Sequence, residues 1–395
     1  MNSDNKLRLA FFNATMKPGQ DGVTRVLFKL IEWLNEHSID SFFISSDIPE
    51  KEEQTTLFHK VPSLPLPLYN EYKFTIPSYK TFEKQLLEFN PDVIHINSPC
   101  PLGLAALNFG KKYSIPVVAT YHTHFPSYAK YYNIKQFEFI GWSYLRKLYN
   151  RCDKVFVPSI SIMDELRARG FKSTEHLPHG IDLNLFRPEF KSTEWKKAQN
   201  IEGKKVLLYV GRLVWEKDLK TLSEIYSIIT NLRDDIIFVL AGEGPIRKDL
   251  ERIMPKALFL GYKSGRELST IFASSDLFIF PSTTETFGNV VLESMASGLV
   301  PICSNEGGAS GSIKNNVNGL ICKAKESLDF SKKIISLLNN ENELNRLSSN
   351  CIEYASKQSW DNIFTVQYHH YLQIMNEQIT NQLTIPVESE VDFAG

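Results

Sequence analysis

Short apolar runs recur along this chain with amphipathic stretches between them, and the pattern stops and restarts once. Residues 7–12, 41–45, 93–96, 116–121 and 155–157 read as strands, and residues 23–35, 102–113 and 160–169 carry the apolar spacing of helices. The alternation begins again at residues 205–210 and continues through strands at 236–240, near 258, at 277–280 and at 300–303. Strands alternating with helices build a parallel sheet covered by helices. Two such runs in 395 residues predict an α/β chain of two doubly wound, Rossmann-like domains facing a central cleft at the carboxyl ends of their strands. The polar segment 190–203 reads as the connector, which puts the first domain at 1–190 and the second at 191–359. A helix over 360–380 is expected to pack back on the first domain, and the polar tail 381–395 to be mobile.

Composition narrows the function classes. A net charge of −1 argues against a general nucleic-acid binder. The five cysteines (Cys100, Cys152, Cys303, Cys322, Cys351) are scattered, odd in number and lack CxxC spacing, so they read as reduced thiols. The N-terminus lacks the basic start and apolar stretch of a signal peptide, and no apolar run approaches the ~20 residues that span a bilayer. The expected location is the cytoplasm, with room for peripheral binding at the inner face of the cytoplasmic membrane.

The densest chemistry lies in the second run. The stretch Thr283-Thr284-Glu285-Thr286-Phe287-Gly288-Asn289-Val290-Val291-Leu292-Glu293 follows the strand at 277–280 and reads as loop then helix. Glu285 falls on the loop and Glu293 a turn into the helix, beside an N-terminus whose unpaired N–H groups and dipole favour an anion. Carboxylates next to an anion site suit a ligand with both hydroxyls and phosphates. The loop Gly211-Arg212-Leu213-Val214-Trp215-Glu216-Lys217 also follows a strand directly. Arg212 offers a fork and Lys217 a compact charge to phosphate oxygens, and together they suit the negative charge that grows on a diphosphate leaving group. The plain alternative is a surface pair bridging to Glu216 or Asp218. In the first run, the Gly19–Arg25 stretch opens the first helix and permits close backbone approach, and Arg25 can reach toward the cleft. Tyr121-His122-Thr123-His124-Phe125-Pro126 ends a strand there, with His122 placed for sugar or reacting-centre oxygens and His124, Ser127 and Tyr128 as acceptor-side candidates. The His-x-His pair admits a metal, but no acidic or Cys ligand lies near it, so none is expected. His95, inside an apolar strand, reads as a satisfied core histidine.

Together these elements resemble the retaining glycosyltransferases of family 4, which have the GT-B fold of two Rossmann-like domains. The resemblance covers nearly the whole chain and is most specific in the E-x7-E pattern of Glu285 and Glu293 and the G-R-L-x-x-E-K loop at 211–217. Pro178-His179-Gly180-Ile181-Asp182 with Phe186-Arg187-Pro188 is similar to the family's interdomain segment, with His179 where the family usually has Asn, and the Gly-Gly of its first loop is reduced here to Asp21-Gly22. The resemblance implies that Glu285 binds donor-sugar hydroxyls with Thr286, Phe287 and Gly288 in support. It also implies that Glu293 holds the ribose, that Arg212, Lys217 and Gly22 meet the diphosphate, and that the backbone near Tyr262 and Lys263 meets the base. His122 would stand by the sugar. The implied reaction moves a hexose from a UDP- or GDP-sugar with same-face attack, the leaving phosphate taking the acceptor proton, with the nucleotide sugar as co-substrate and no cofactor or metal. Residues 64–69, 91–95 and 121–126 resemble the glycolipid-forming members, such as the sulfoquinovosyl-diacylglycerol synthases and mannosyl- or glucosyl-lipid synthases.

Residues 126–154 combine eight aromatics with six basic and two acidic residues, a mixture that suits either an anionic membrane surface or core packing. A saccharide or small-molecule acceptor, a GT-B epimerase or phosphorylase, and an idle nucleotide-sugar-binding module stand as the competing readings.

Overall fold

A computed structural model of the chain describes residues 6–18, 22–66, 69–75, 79–122 and 135–383. The chain divides into two compact units, one comprising residues 1–120, 147–156 and 364–395, the other residues 121–146 and 157–363.

The first unit contains strands β1 (Leu9–Asn13), β2 (Ser41–Ser45), β3 (Leu57–Lys60), β6 (Val93–Ile96), β7 (Val117–Thr120) and β8 (Lys154–Val157), with an antiparallel hairpin of β4 (Ser63–Leu66) and β5 (Tyr69–Thr75). The parallel strands follow the order β3-β2-β1-β6-β7-β8. Every residue of β1, β2, β6 and β7 is buried, as expected where helices cover both faces of a parallel sheet. Helix Gly22–Glu36 buries Val26, Leu27, Leu30, Ile31 and Leu34, a three-and-four spacing that makes one apolar face. Pro101 opens helix Pro101–Tyr113, where its missing N–H costs nothing.

The second unit contains the short β9 (Thr174–His176), then β10 (Lys205–Val210), β11 (Ile236–Ala241), β12 (Leu258–Gly261), β13 (Leu277–Phe280), β14 (Val300–Ser304) and β15 (Leu320–Cys322). Its parallel sheet runs β12-β11-β10-β13-β14-β15. That is the doubly wound order, in which the chain builds outward one way and then restarts on the other side of its first strand. The segment expected as a polar connector carries a helix, Thr193–Ala198, whose N-terminus is capped by the Ser192 hydroxyl. No described helix is long and apolar enough to cross a membrane.

His95 ties the first unit together. It is buried in β6, with Nδ1 2.6 Å from the Tyr371 hydroxyl and Nε2 2.7 Å from Thr120 Oγ1. Helix Trp360–Leu383, which supplies Tyr371, thereby meets the sheet through a fully satisfied imidazole. Burial lowers its pKa from 6.5 to about 3. The unfolded chain therefore binds a proton that the folded chain refuses. Stability is complete above about pH 6.5 and falls as pH drops toward 3, by roughly 1.4 kcal/mol per unit for this one group. Urea unfolding at pH 7, 5.5 and 4.5 should show that slope. His95→Gln should be less stable at pH 7 yet lose less on acidification, and equal slopes in both proteins would remove His95 as the cause.

Candidate functional site

In a doubly wound sheet the loops that leave the two strands at the point of reversal part to opposite faces and open a crevice between them. In the second unit those strands are β10 and β13, paired in parallel with Leu207 opposite Leu277. Their loops carry the residues singled out above. The β10 loop is shaped by its other neighbour, the loop after β11. Gly211 N donates to the Ala241 carbonyl (3.1 Å) and Leu213 N to the Glu243 carbonyl (2.9 Å). A turn of 3-10 helix at Trp215–Lys217 follows, and Asp218 takes a left-handed conformation (φ 52°) before helix Leu219–Leu232 begins.

Three consecutive residues of this turn bond three consecutive residues of the β13 loop. Thr284 Oγ1 donates to the Glu216 carbonyl at 3.0 Å, Lys217 Nζ to Glu285 Oε1 at 2.6 Å, and Thr283 Oγ1 to Asp218 Oδ2 at 2.5 Å. The side chains of Lys217 and Glu285 are only 13% and 23% exposed, so solvent screens this pair far less than a surface bridge. Burial pushes the Asp218 carboxyl above its usual range, partly opposed by the Thr283 hydroxyl.

The third side is the loop after β14. Gly308 N donates to the Glu285 carbonyl at 2.6 Å, and a Cβ at Gly308 would stand 1.9 Å from the Thr286 carbonyl oxygen, so only glycine permits this approach. Gly288 caps helix Asn289–Ala296 at φ 78°, again a glycine conformation. Glu293 lies in this helix with 5% of its surface exposed, and Phe287 is buried just before it. Thr286 Oγ1 donates to the His122 carbonyl at 2.6 Å, which fixes residue 122 against the loop. The His179 ring lies 4.8 Å from that of Phe287 and 5.9 Å from that of His122. Its Nδ1 is 2.6 Å from Asn289 Oδ1, and burial lowers its pKa from 6.5 to about 4 against the raising effect of that bond.

Lys217, Glu285, Thr286, Phe287, Gly288 and His122 are thus linked through one short stretch of chain. Arg212 is exposed and its side chain makes no hydrogen bond or ion pair among the described residues, while its carbonyl accepts from the Tyr209 hydroxyl at 3.1 Å. Tyr262 is 67% exposed and Lys263 pairs with Glu267. Gly22 begins helix Gly22–Glu36 of the first unit, and Arg25 is exposed on its first turn. His124, Ser127, Tyr128 and residues 19–21 lie outside the described residues, as does 126–134 of the aromatic segment. Sequence reasoning did not single out the Asp218–Thr283 bond, the Gly307-Gly308 turn or the contacts of His179. It also passed over Asn13, the buried last residue of β1, whose two amide atoms find no partner among the described residues. Two adjacent glycines after a strand, and a polar residue ending an apolar strand, were the available signals.

Residues 20–185 match the family described as Glycosyltransferase Family 4, and residues 191–358 match Glycosyl transferases group 1. The chain belongs to glycosyltransferase family 4. This glycosyltransferase is 28% identical over 375 residues to the GDP-mannose-dependent alpha-mannosyltransferase of Corynebacterium glutamicum, covering 93% of this chain and 89% of that one. It is 33% identical over 309 residues to the sulfoquinovosyl transferase of Arabidopsis thaliana, covering 75% and 60% respectively. The sucrose-phosphate synthase of Thermosynechococcus elongatus has the same fold, with TM-score 0.74 at 19% identity over 96% of this chain and 99% of that one. The glycosyltransferase therefore has the GT-B fold of two Rossmann-like domains.

The bond between Asp218 and Thr283 is one of the three polar contacts that join the loops, and Asp218 is buried. Thr283→Val leaves the Asp218 carboxylate without its hydroxyl donor and should cost about 1–3 kcal/mol in urea unfolding at pH 7. An unchanged midpoint would mean the two loops hold their positions without it.

Proposed function

We propose that this glycosyltransferase is a retaining hexosyltransferase that takes its sugar from a UDP- or GDP-sugar and delivers it to an acceptor hydroxyl of a membrane lipid. The carrying observation is the Lys217–Glu285 pair at the reversal point of the second sheet, next to the helix N-terminus at Gly288–Asn289. A cation and a carboxylate held there suit the two halves of a nucleotide sugar. Lys217 and the exposed Arg212 take the diphosphate, whose charge grows as its bond to the sugar breaks. Glu285 accepts from sugar hydroxyls, supported by Thr286, Phe287 and Gly288, and His122 stands on the sugar's other side. Glu293 holds the ribose, and backbone groups near Tyr262 and Lys263 meet the base. Gly22 and Arg25 serve from the first domain, with His124, Ser127 and Tyr128 toward the acceptor. The leaving phosphate takes the acceptor's proton on the same face, which retains the anomeric configuration. Arg212, Lys217 and the helix N-terminus supply the positive charge, so this reading calls for no metal and no resident cofactor.

Lipid is favoured as acceptor because a relative from Streptococcus pneumoniae, 28% identical over 74% of this chain, is named an alpha-monoglucosyldiacylglycerol synthase, and because of helix Lys135–Tyr149. On this helix Phe139 is 76% exposed and Ile140 and Tyr144 are also exposed, with Arg146 and Lys147 beside them in sequence. Apolar and basic side chains on one exposed stretch suit the surface of an anionic bilayer. Lys130→Glu, Lys135→Glu and Lys147→Glu combined should weaken flotation with anionic liposomes, and undiminished binding removes the membrane part of the reading.

The donor is tested by thermal shift with nucleoside diphosphates and their sugars, since a ligand of the native state raises its stability. Transfer is then assayed with lipid extract. Glu293→Ala should mainly weaken donor binding and Glu285→Ala should mainly slow transfer, each by tenfold or more if a charged hydrogen bond of roughly 1.5–3 kcal/mol is lost. The same kinetic defect in both variants contradicts this division of roles.

A further inference from the structure

Buried polar atoms in a folded chain nearly always have a partner, and each exception asks for a reason. His179 Nε2 is such an exception: it is sealed from solvent and finds no hydrogen-bond partner among the described residues. The other ring nitrogen is committed. Asn289 presents its amide oxygen at 2.6 Å, so Nδ1 carries the proton and donates. In that neutral ring Nε2 holds a lone pair and can only accept. Burial, which holds the pKa down to about 4, keeps the ring neutral at the pH of a cell.

The backbone that carries the ring is pinned. Ile181 N donates to the Gln358 carbonyl at 2.7 Å, and a Cβ at Gly180 would meet the Trp360 backbone at 2.7 Å, so the segment is held on the far side. On the near side stand the rings of Phe287 and His122 and the first residue of helix Asn289–Ala296. A buried acceptor in that company has a natural partner in a hydroxyl group.

We propose that His179 is a sugar-reading residue of the donor site, its Nε2 lone pair accepting a hydrogen bond from a hydroxyl of the transferred hexose. The inference rests on the nucleotide-sugar reading above and adds a contact that reading does not contain. It also gives a reason for histidine at a position where the family usually carries asparagine: the imidazole acts at both ends, holding Asn289 with one nitrogen and the sugar with the other.

The test separates sugar from nucleotide. Wild type, His179→Ala and His179→Asn are titrated calorimetrically with UDP, GDP, UDP-glucose and GDP-mannose, and with deoxy forms of the bound donor that lack one sugar hydroxyl each. The diphosphate that binds wild type should bind His179→Ala within about twofold. The matching nucleotide sugar should bind it about three- to tenfold more weakly, the size of one neutral hydrogen bond. One deoxy donor should lose affinity for wild type and none for His179→Ala, the signature of a coupled pair. His179→Asn, which retains an amide donor for Asn289, guards against a folding defect, and it should show the same sugar-specific loss. Equal weakening of diphosphate and sugar assigns His179 a purely structural role and overturns the inference, as does equal affinity throughout. Wild type that binds no diphosphate and no sugar overturns the donor reading itself, a result distinct from either.

Discussion

The candidate site depends on two strands lying side by side. Because β10 and β13 are neighbours at the reversal of the second sheet, the loops leaving them start a strand's width apart. At that spacing side chains from one loop reach the other. Residues 216, 217 and 218 meet 284, 285 and 283 through three hydrogen bonds, two between side chains and one from a side chain to a carbonyl. The loop after β14 then seats on the same stretch through Gly308 and the Glu285 carbonyl. Glu285 is held by its backbone from one side and its carboxylate from the other. A side chain fixed at both ends loses little freedom when a ligand arrives, which is what a binding group on a loop otherwise lacks.

The Lys217–Glu285 pair has a second consequence. A lysine ammonium has three donors, and in Lys217 one of them is given to Glu285. The carboxylate likewise has lone pairs beyond the one that Lys217 uses. Each partner keeps the other oriented in a partly desolvated place, where an isolated charge would be costly. Arg212, exposed and without a side-chain partner among the described residues, has no such restraint and can follow a ligand.

Much of this was legible in the residues. Runs such as Leu277–Phe280 are apolar throughout because both sheet faces are covered, and their positions came through within a residue or two. The eight-residue step from Glu285 to Glu293 sets loop against helix without further information. What escaped notice depends on contacts far apart in sequence or on shape. The hairpin Ser63–Leu66 with Tyr69–Thr75 mixes proline with polar residues and shows no clean alternation. Helix Thr193–Ala198 hid in a polar stretch, although Ser192 is an ordinary capping residue. The Gly307-Gly308 turn is required by the carbonyls of Thr283 and Thr286, which lie far off in the sequence. His179 and Asn289 stand 110 positions apart.

His95 and His179 show how far burial alone carries an argument. Both rings are held neutral by burial. His95 has a hydroxyl on each nitrogen and is finished as a structural group, joining helix to sheet. His179 has an amide oxygen on one nitrogen and no partner among the described residues on the other. The difference is one hydrogen bond. An imidazole with both nitrogens satisfied has nothing left to offer a ligand, whereas one with a sealed, unshared lone pair keeps a specific and directional capacity at a fixed point. Counting partners atom by atom therefore distinguishes a core histidine from a binding histidine where hydrophobic surroundings and shifted pKa do not.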